Sequence, residues 1–136
     1  MTNKQYRAYK YLSRLWRIDR EIRDKEEELY SIGLSGISYD KDPVQTSPAD
    51  PMGRIADIIS EIQQEKEKYI LVKHTLINEI HSLEDKVAEQ ILHDRFIQNI
   101  PMRQISGRYG YSSSTCYRLF CSALDAFADK YGKKWE

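Results

Sequence analysis

Five apolar residues recur at every seventh position without a miss: Ile55, Ile62, Tyr69, Leu76 and Leu83. Ile58, Ile59, Val72 and Ile80 fill positions between them. A seven-residue apolar repeat draws one stripe along an α-helix, two turns per repeat. Glu65 and Lys66 interrupt the stripe near its middle, and Asp50 or Pro51 can begin the helix. One helix cannot bury such a stripe alone. The chain therefore has to supply a second long helix, or another copy of itself.

The first thirty or so residues supply it. From about Asn3 to Ile32, the residues Ala8, Tyr11, Leu15, Ile18, Ile22, Leu29 and Ile32 follow a three-four alternation, with Lys25 interrupting it. Tyr9 and Trp16 widen the stripe on one side. No Gly or Pro occurs inside, Gly33 supplies a stop, and Glu21 with Lys25 forms a favourable i, i+4 pair. Residues 33–51, GLSGISYDKDPVQTSPADP, lose all period and read as a flexible linker. The economical arrangement is an antiparallel hairpin over residues 1–81. A parallel, self-associating coiled coil is the alternative, because heptads alone do not decide orientation.

Beyond residue 81 the pattern shortens. Ser82-Leu83-Glu84-Asp85 resembles a capping signal, which places a break near His81–Ser82. Val87, Ile91, Leu92 and Phe96 form the inner face of the next helix, ended by Asn99-Ile100-Pro101. Ile105 and Tyr109 then mark the inner face of a short helix with Pro101 near its start. Gly110 suits the left-handed residue that ends it. Ser112 and Ser113 offer N-cap oxygens for a second helix. Cys116, Leu119, Phe120 and Ala123 face inward on that helix, and Ser114, Tyr117, Arg118 and Cys121 fall outside. Leu124, Phe127 and Ala128 carry the apolar face on to about Tyr131. Gly132 stops it and Lys133–Glu136 reads as a tail. The expected fold is all-α: two long N-terminal helices, paired as an antiparallel hairpin or coiled coil, then a C-terminal three- or four-helix domain over 82–136 containing a helix-turn-helix. Such a unit lays its second helix, here about 113–124, in the DNA major groove. The same shape also occurs in proteins that never touch DNA.

Net charge is zero, but it is unevenly spread. Residues 1–20 carry net +5, residues 21–100 net −8 and residues 101–136 net +3. The local patches have to be judged, not the total. Arg7, Lys10, Arg14 and Arg17 share one face of the first helix, either as a phosphate or acidic-protein contact or as a solvated face. No run of about 20 apolar residues marks a membrane span, and the charged N-terminus lacks the apolar core of a signal peptide. A cytoplasmic protein with reduced cysteines is expected. Cys116 and Cys121 suit neither a zinc knuckle nor a redox pair. His74 and His81, two turns apart, lack the spacing of a metal site. No Gly-rich phosphate loop, nucleophile elbow or paired-carboxylate pocket is recognisable, so neither an enzyme nor a cofactor is expected.

The C-terminal segment resembles region 4 of the bacterial sigma-70 family: a short helix, a Gly turn, then Ser-x-Ser-Thr-hydrophobic-x-Arg. Gly110, Ser112, Ser114, Thr115 and Arg118 match it, and Cys116 takes the hydrophobic position. Ser106, where that pattern usually has Ala, and Gly107 are departures; both are small enough for close helix packing. Over nearly its full length the chain resembles the ArpU/RinA-type regulators of phages and prophages of Gram-positive bacteria. YLSRLWRIDREIRDKEEEL and the stretch around Tyr109-Gly110-Tyr111-Ser112 carry most of that match. The resemblance implies control of phage late-gene transcription.

On this reading Tyr117 and Arg118 reach base edges or phosphates. Arginine can bind guanine bidentately, a contact worth roughly 1–3 kcal/mol in discrimination. Ser113, Ser114 and Thr115 suit phosphate at a helix N-terminus. Arg103, Gln104 and Arg108 are candidate phosphate contacts from the preceding helix. The expected partner is double-stranded DNA, with RNA polymerase as a further candidate and a homodimer favoured to strengthen binding. Two other readings compete: a small terminase subunit that recognises phage DNA for packaging, although those usually place the helix-turn-helix first, and a module that binds only protein.

Overall fold

The computed structural model describes residues 1–37 and 51–135, and every regular element in them is helical. In chain order these are α1 (Asn3–Leu12), α2 (Arg14–Ile37), α3 (Pro51–His81), α4 (Lys86–Leu92), a π-helical turn (His93–Ile97), α5 (Met102–Tyr109), α6 (Ser113–Tyr131) and a 3-10 turn (Gly132–Trp135). The fold is all-α. Among the described residues no helix is long and apolar enough to cross a membrane. Contacts divide the chain into two compact units, Arg17–Ile70 and Met1–Trp16 with Leu71–Glu136. The boundary expected at residue 81 therefore moves. The start of the chain and the end of α3 belong with the C-terminal helices.

Most of the expected linker, residues 38–50, lies outside the described residues. Its expected start does not: α2 runs through Gly33 to Ile37. Gly33 keeps an ordinary negative φ, so it is a helix residue and not a stop. A glycine inside a helix costs only up to about 1 kcal/mol relative to alanine.

In the unit Arg17–Ile70, Lys25 Nζ meets Glu61 Oε2 at 3.1 Å, Arg54 Nη2 meets Glu28 Oε1 at 2.6 Å, and Lys66 Nζ approaches Glu26 Oε2 at 3.9 Å. From Lys66–Glu26 to Arg54–Glu28 the α2 number rises while the α3 number falls, and Lys25–Glu61 lies between them along α3, so the pairing is antiparallel and lies within one chain. Ile18, Ile22, Ile58 and Ile62 are buried along it. Burying one such side chain is worth about 1.5–3 kcal/mol, an exposed ion pair about 0–1. The isoleucines therefore hold this unit, and the ion pairs set its register. Lys25, which breaks the sequence stripe, is the residue that reaches Glu61.

The second unit is built around all three phenylalanines of the chain. Trp16 stacks on Phe96 with ring centres 5.0 Å apart, Phe96 stacks on Phe120 at 5.9 Å, and Tyr9 meets both phenylalanines edge-on. α1 and α4 both pack on α6. The single N-terminal helix expected from the stripe is broken once. Ser13 turns its hydroxyl onto the Lys10 carbonyl at 3.1 Å, and its N–H bonds Tyr9 O. Serine competes in this way for backbone groups inside helices. Leu12 is fully buried next to the break, whereas Tyr11 is half-buried.

Two further expectations shift. Asp85, not Ser82, caps α4, accepting from the N–H groups of Val87 at 2.9 Å and Ala88 at 3.4 Å. Ser82 closes α3 instead, donating to Glu79 O. Ala88 is accordingly the buried residue of α4's first turn, while Val87 is 36% exposed. Of the expected C-terminal tail, Glu136 lies outside the described residues, and Lys134 and Trp135 are tied to the helices rather than free. Trp135 lies 4.9 Å from the Tyr11 ring and 6.0 Å from Phe127, and Lys134 pairs with Glu79. Glu79 is 6% exposed and also accepts the Tyr11 hydroxyl at 2.6 Å. Burial first, and Glu79 second, push the Tyr11 phenol up to about 12.

Candidate nucleic-acid interface

The π turn sets the stage. Gln98 N–H bonds His93 O at 3.1 Å, Asn99 takes a positive φ of 56°, and Ile100 N–H returns to Asp94 O at 2.9 Å. The wider turn leaves Asp94 buried, at 6% exposure. There it accepts the Tyr109 hydroxyl and lies 3.5 Å from Arg108 Nη1. The Asp94 hydrogen bond, ahead of burial, raises the Tyr109 phenol. A buried carboxylate on one element thus fixes the C-terminal end of another.

α5 begins at Pro101, which serves as an extended N-cap, and ends at Gly110 with φ 71°. Ile105 and Ser106 are its buried residues. Ser106 sends its hydroxyl to Arg103 O at 2.9 Å, and its carbonyl accepts from Tyr111 N at 2.9 Å. A small residue there satisfies both its own hydroxyl and the turn. Ser112 then caps α6, accepting from Thr115 N at 3.2 Å. Cys116, Phe120, Ala123, Leu124, Phe127 and Ala128 form the buried stripe of α6. Leu119 is half-buried rather than inside.

Most of the candidate residues are exposed. Ser114, Tyr117 and Arg118 are exposed at i, i+3 and i+4 of α6, with Ser113 beside them. Tyr117 is 48% exposed, and a hydrogen bond with the Cys121 thiol one turn on raises its phenol. Arg103 and Gln104 are exposed on α5, as is Arg108, which is partly held by Asp94. Thr115 is the exception. It is half-buried and tied to Ser112 through both its N–H and its hydroxyl, the latter at 2.9 Å. It acts within the cap and offers little to a ligand.

Charge in this region is one-sided. Between Asp94 and Asp125 the sequence carries Arg95, Arg103, Arg108 and Arg118 and no carboxylate. Arg95 is used internally, its guanidinium 4.4 Å above the Trp16 ring. The basic residues of the first helix do not join this face as a set. Arg14 lies over the Tyr11 ring at 4.1 Å and donates to Tyr11 O, Lys10 lies over Tyr6, and Arg17 belongs to the other unit.

Asp94 is the residue the sequence did not offer. Its signal was its place three residues after Ile91, on the inner face of a helix where a charge has to be paired. Among the described residues no cluster of three or more His, Cys, Asp or Glu could hold a metal ion. His81 and His93 pair ring to ring at 5.6 Å. Cys116 and Cys121 are free thiols, and burial pushes the Cys116 thiol up. Set beside known proteins, the chain matches no family model, no curated protein and no solved structure.

Proposed function

We propose that this protein is a sequence-specific double-stranded DNA-binding regulator of transcription, of the phage or prophage type its sequence resembles. One observation carries the reading: α5, the left-handed turn at Gly110 and α6 present Ser114, Tyr117 and Arg118 on one exposed face, within a stretch that holds arginines and no carboxylate. Arg118 reads a base edge or holds a phosphate, with Tyr117 beside it. Ser113 and Ser114 bind phosphate through hydroxyls and the free N–H groups of the α6 N-terminus. Arg103, Gln104 and Arg108 hold backbone phosphates on the flank. Thr115 orders the cap rather than touching DNA.

A unit with so few cations neutralises about four phosphates, which gives a log–log salt slope near −4 and weak binding by one copy. Two copies reading half-sites about one helical turn apart restore affinity. The test is selection of bound fragments from sheared genomic DNA of the source at two salt concentrations, with Arg118→Ala as control. Enrichment of one or a few sites upstream of an operon, lost in the variant, is expected. Enrichment only at a packaging start would assign the protein to DNA packaging. No enrichment at either salt would overturn DNA recognition by this chain.

A further inference from the structure

At the C-terminal end of α6 a cleft of about 420 Å³ opens against α1. Trp135 and Ala128 line it with apolar surface. Arg7 from α1 and Lys133 from the 3-10 turn stand on it as exposed cations. Among the described residues no side-chain hydrogen bond or ion pair occupies either of them. Lys4 also borders the cleft, but its charge is spent on Asp129. Among the described residues the lining therefore carries two positive charges in excess, Lys4 being paired with Asp129. The indole N–H of Trp135 is buried and has no acceptor among the described residues. The indole N–H of Trp16 is in the same state and does not line the cleft, so the choice of ligand rests on the cations and the apolar lining.

We infer that this cleft binds an acidic, partly apolar peptide segment of a partner protein. Its carboxylates sit on Arg7 and Lys133, and its apolar side chains lie against Trp135 and Ala128. The mixture selects the ligand. A nucleic-acid backbone brings a phosphate at every nucleotide and little aliphatic surface. An acidic peptide brings few charges, spaced by the side chains the floor needs. Position agrees with this. At about 1.5 Å per residue, Ala128 lies roughly 20 Å along α6 from Ser114, so a duplex seated on the outer face near Ser114 leaves the cleft open. The inference does not depend on DNA binding.

The chain contains two tryptophans, so the full-length 15N-labelled protein gives two indole N–H resonances. Trp16, stacked on Phe96, is the internal control. The probe is a short capped peptide of alternating Glu and Leu. Saturable movement of the Trp135 resonance with Trp16 still is expected. Replacing Glu by Gln in the peptide, or combining Arg7→Gln with Lys133→Gln in the protein, should weaken the response several-fold. No movement of Trp135 at millimolar peptide overturns the inference. So does an equal response to the Gln peptide, and so does a stronger response to inorganic phosphate or a DNA duplex.

Discussion

The hydroxyl of Tyr109, on the last turn of α5, donates to the buried carboxylate of Asp94 on the π turn before it. That bond crosses between two elements and determines how the exposed face of α5 is presented. Among the described residues, removing it in Tyr109→Phe leaves the Asp94 carboxylate the longer contact to Arg108. A hydrogen bond to a buried charge is worth about 1.5–3 kcal/mol, so the urea midpoint should fall by that amount of stability. Asp94→Asn in the Tyr109→Phe background should recover part of it, because a neutral amide costs less to leave under-bonded.

Gly110 has φ 71°, and a Cβ built there would meet nothing within 4 Å. The cost of Gly110→Ala is therefore in the backbone alone, about 1–2 kcal/mol. Gly110→Asn should cost less, since asparagine tolerates the left-handed region. Thermal unfolding of the two variants should rank them in that order. Equal midpoints for wild type and Ala would mean the turn relaxes.

Tyr11 and Lys134 meet on Glu79, joining α1, α3 and the C-terminal turn. The Tyr11 phenol is raised to about 12, so the folded state holds that proton more tightly than the unfolded chain does. Stability from this group is complete below about pH 10 and is lost as pH rises toward 12. Tyr11→Phe should destabilise the protein by roughly 1–3 kcal/mol at neutral pH and flatten the alkaline loss. Denaturant melts at neutral and alkaline pH measure both. Tyr69 and Tyr109, also raised, leave a residual slope.

Acid acts through His93. Burial first, then His81, lower its pKa below the ordinary 6.5, with Lys73 adding to the effect and Asp94 and Glu89 opposing it. A depressed histidine contributes stability above the unfolded pKa and loses it as pH falls through 6.5 toward the folded value. The melting temperature should drop between about pH 7 and pH 5, and His93→Gln should flatten that drop. An unchanged slope in the variant would assign the acid sensitivity elsewhere.

The long helices were legible because their stripes are regular. The turn at Gly110 and the cap at Ser112 were legible because one needs a left-handed residue and the other a short side-chain oxygen. What escaped the sequence depended on contacts between distant residues. Nothing local distinguishes Ser13 as a break, since serine also occurs inside helices and only its turn onto Lys10 O marks it here. Asp85 and Ser82 are both good caps, and Ser82 is drawn away by Glu79 O and Tyr131. Lys134 and Trp135 read as a tail because their partners, Glu79, Tyr11 and Phe127, are far off in sequence. The exposed candidates were found by helical spacing. Asp94, which holds the candidate Arg108 and its neighbour Tyr109, stood three residues after Ile91 on the inner face, but its partners lie on the next helix and nothing local names them.

The rings of α1 have their partners in the C-terminal half of the chain: Tyr9 on Phe96 and Phe120, Tyr11 on Phe127. At roughly 5–20 residues per second, a ribosome releases α1 well before Phe127 exists. The first helix made is the last to be covered, while the antiparallel pair can close in the interval. A fragment begun after α1 would strip Tyr9 from Phe96 and Phe120 and Tyr11 from Phe127, leaving those rings covered on fewer sides.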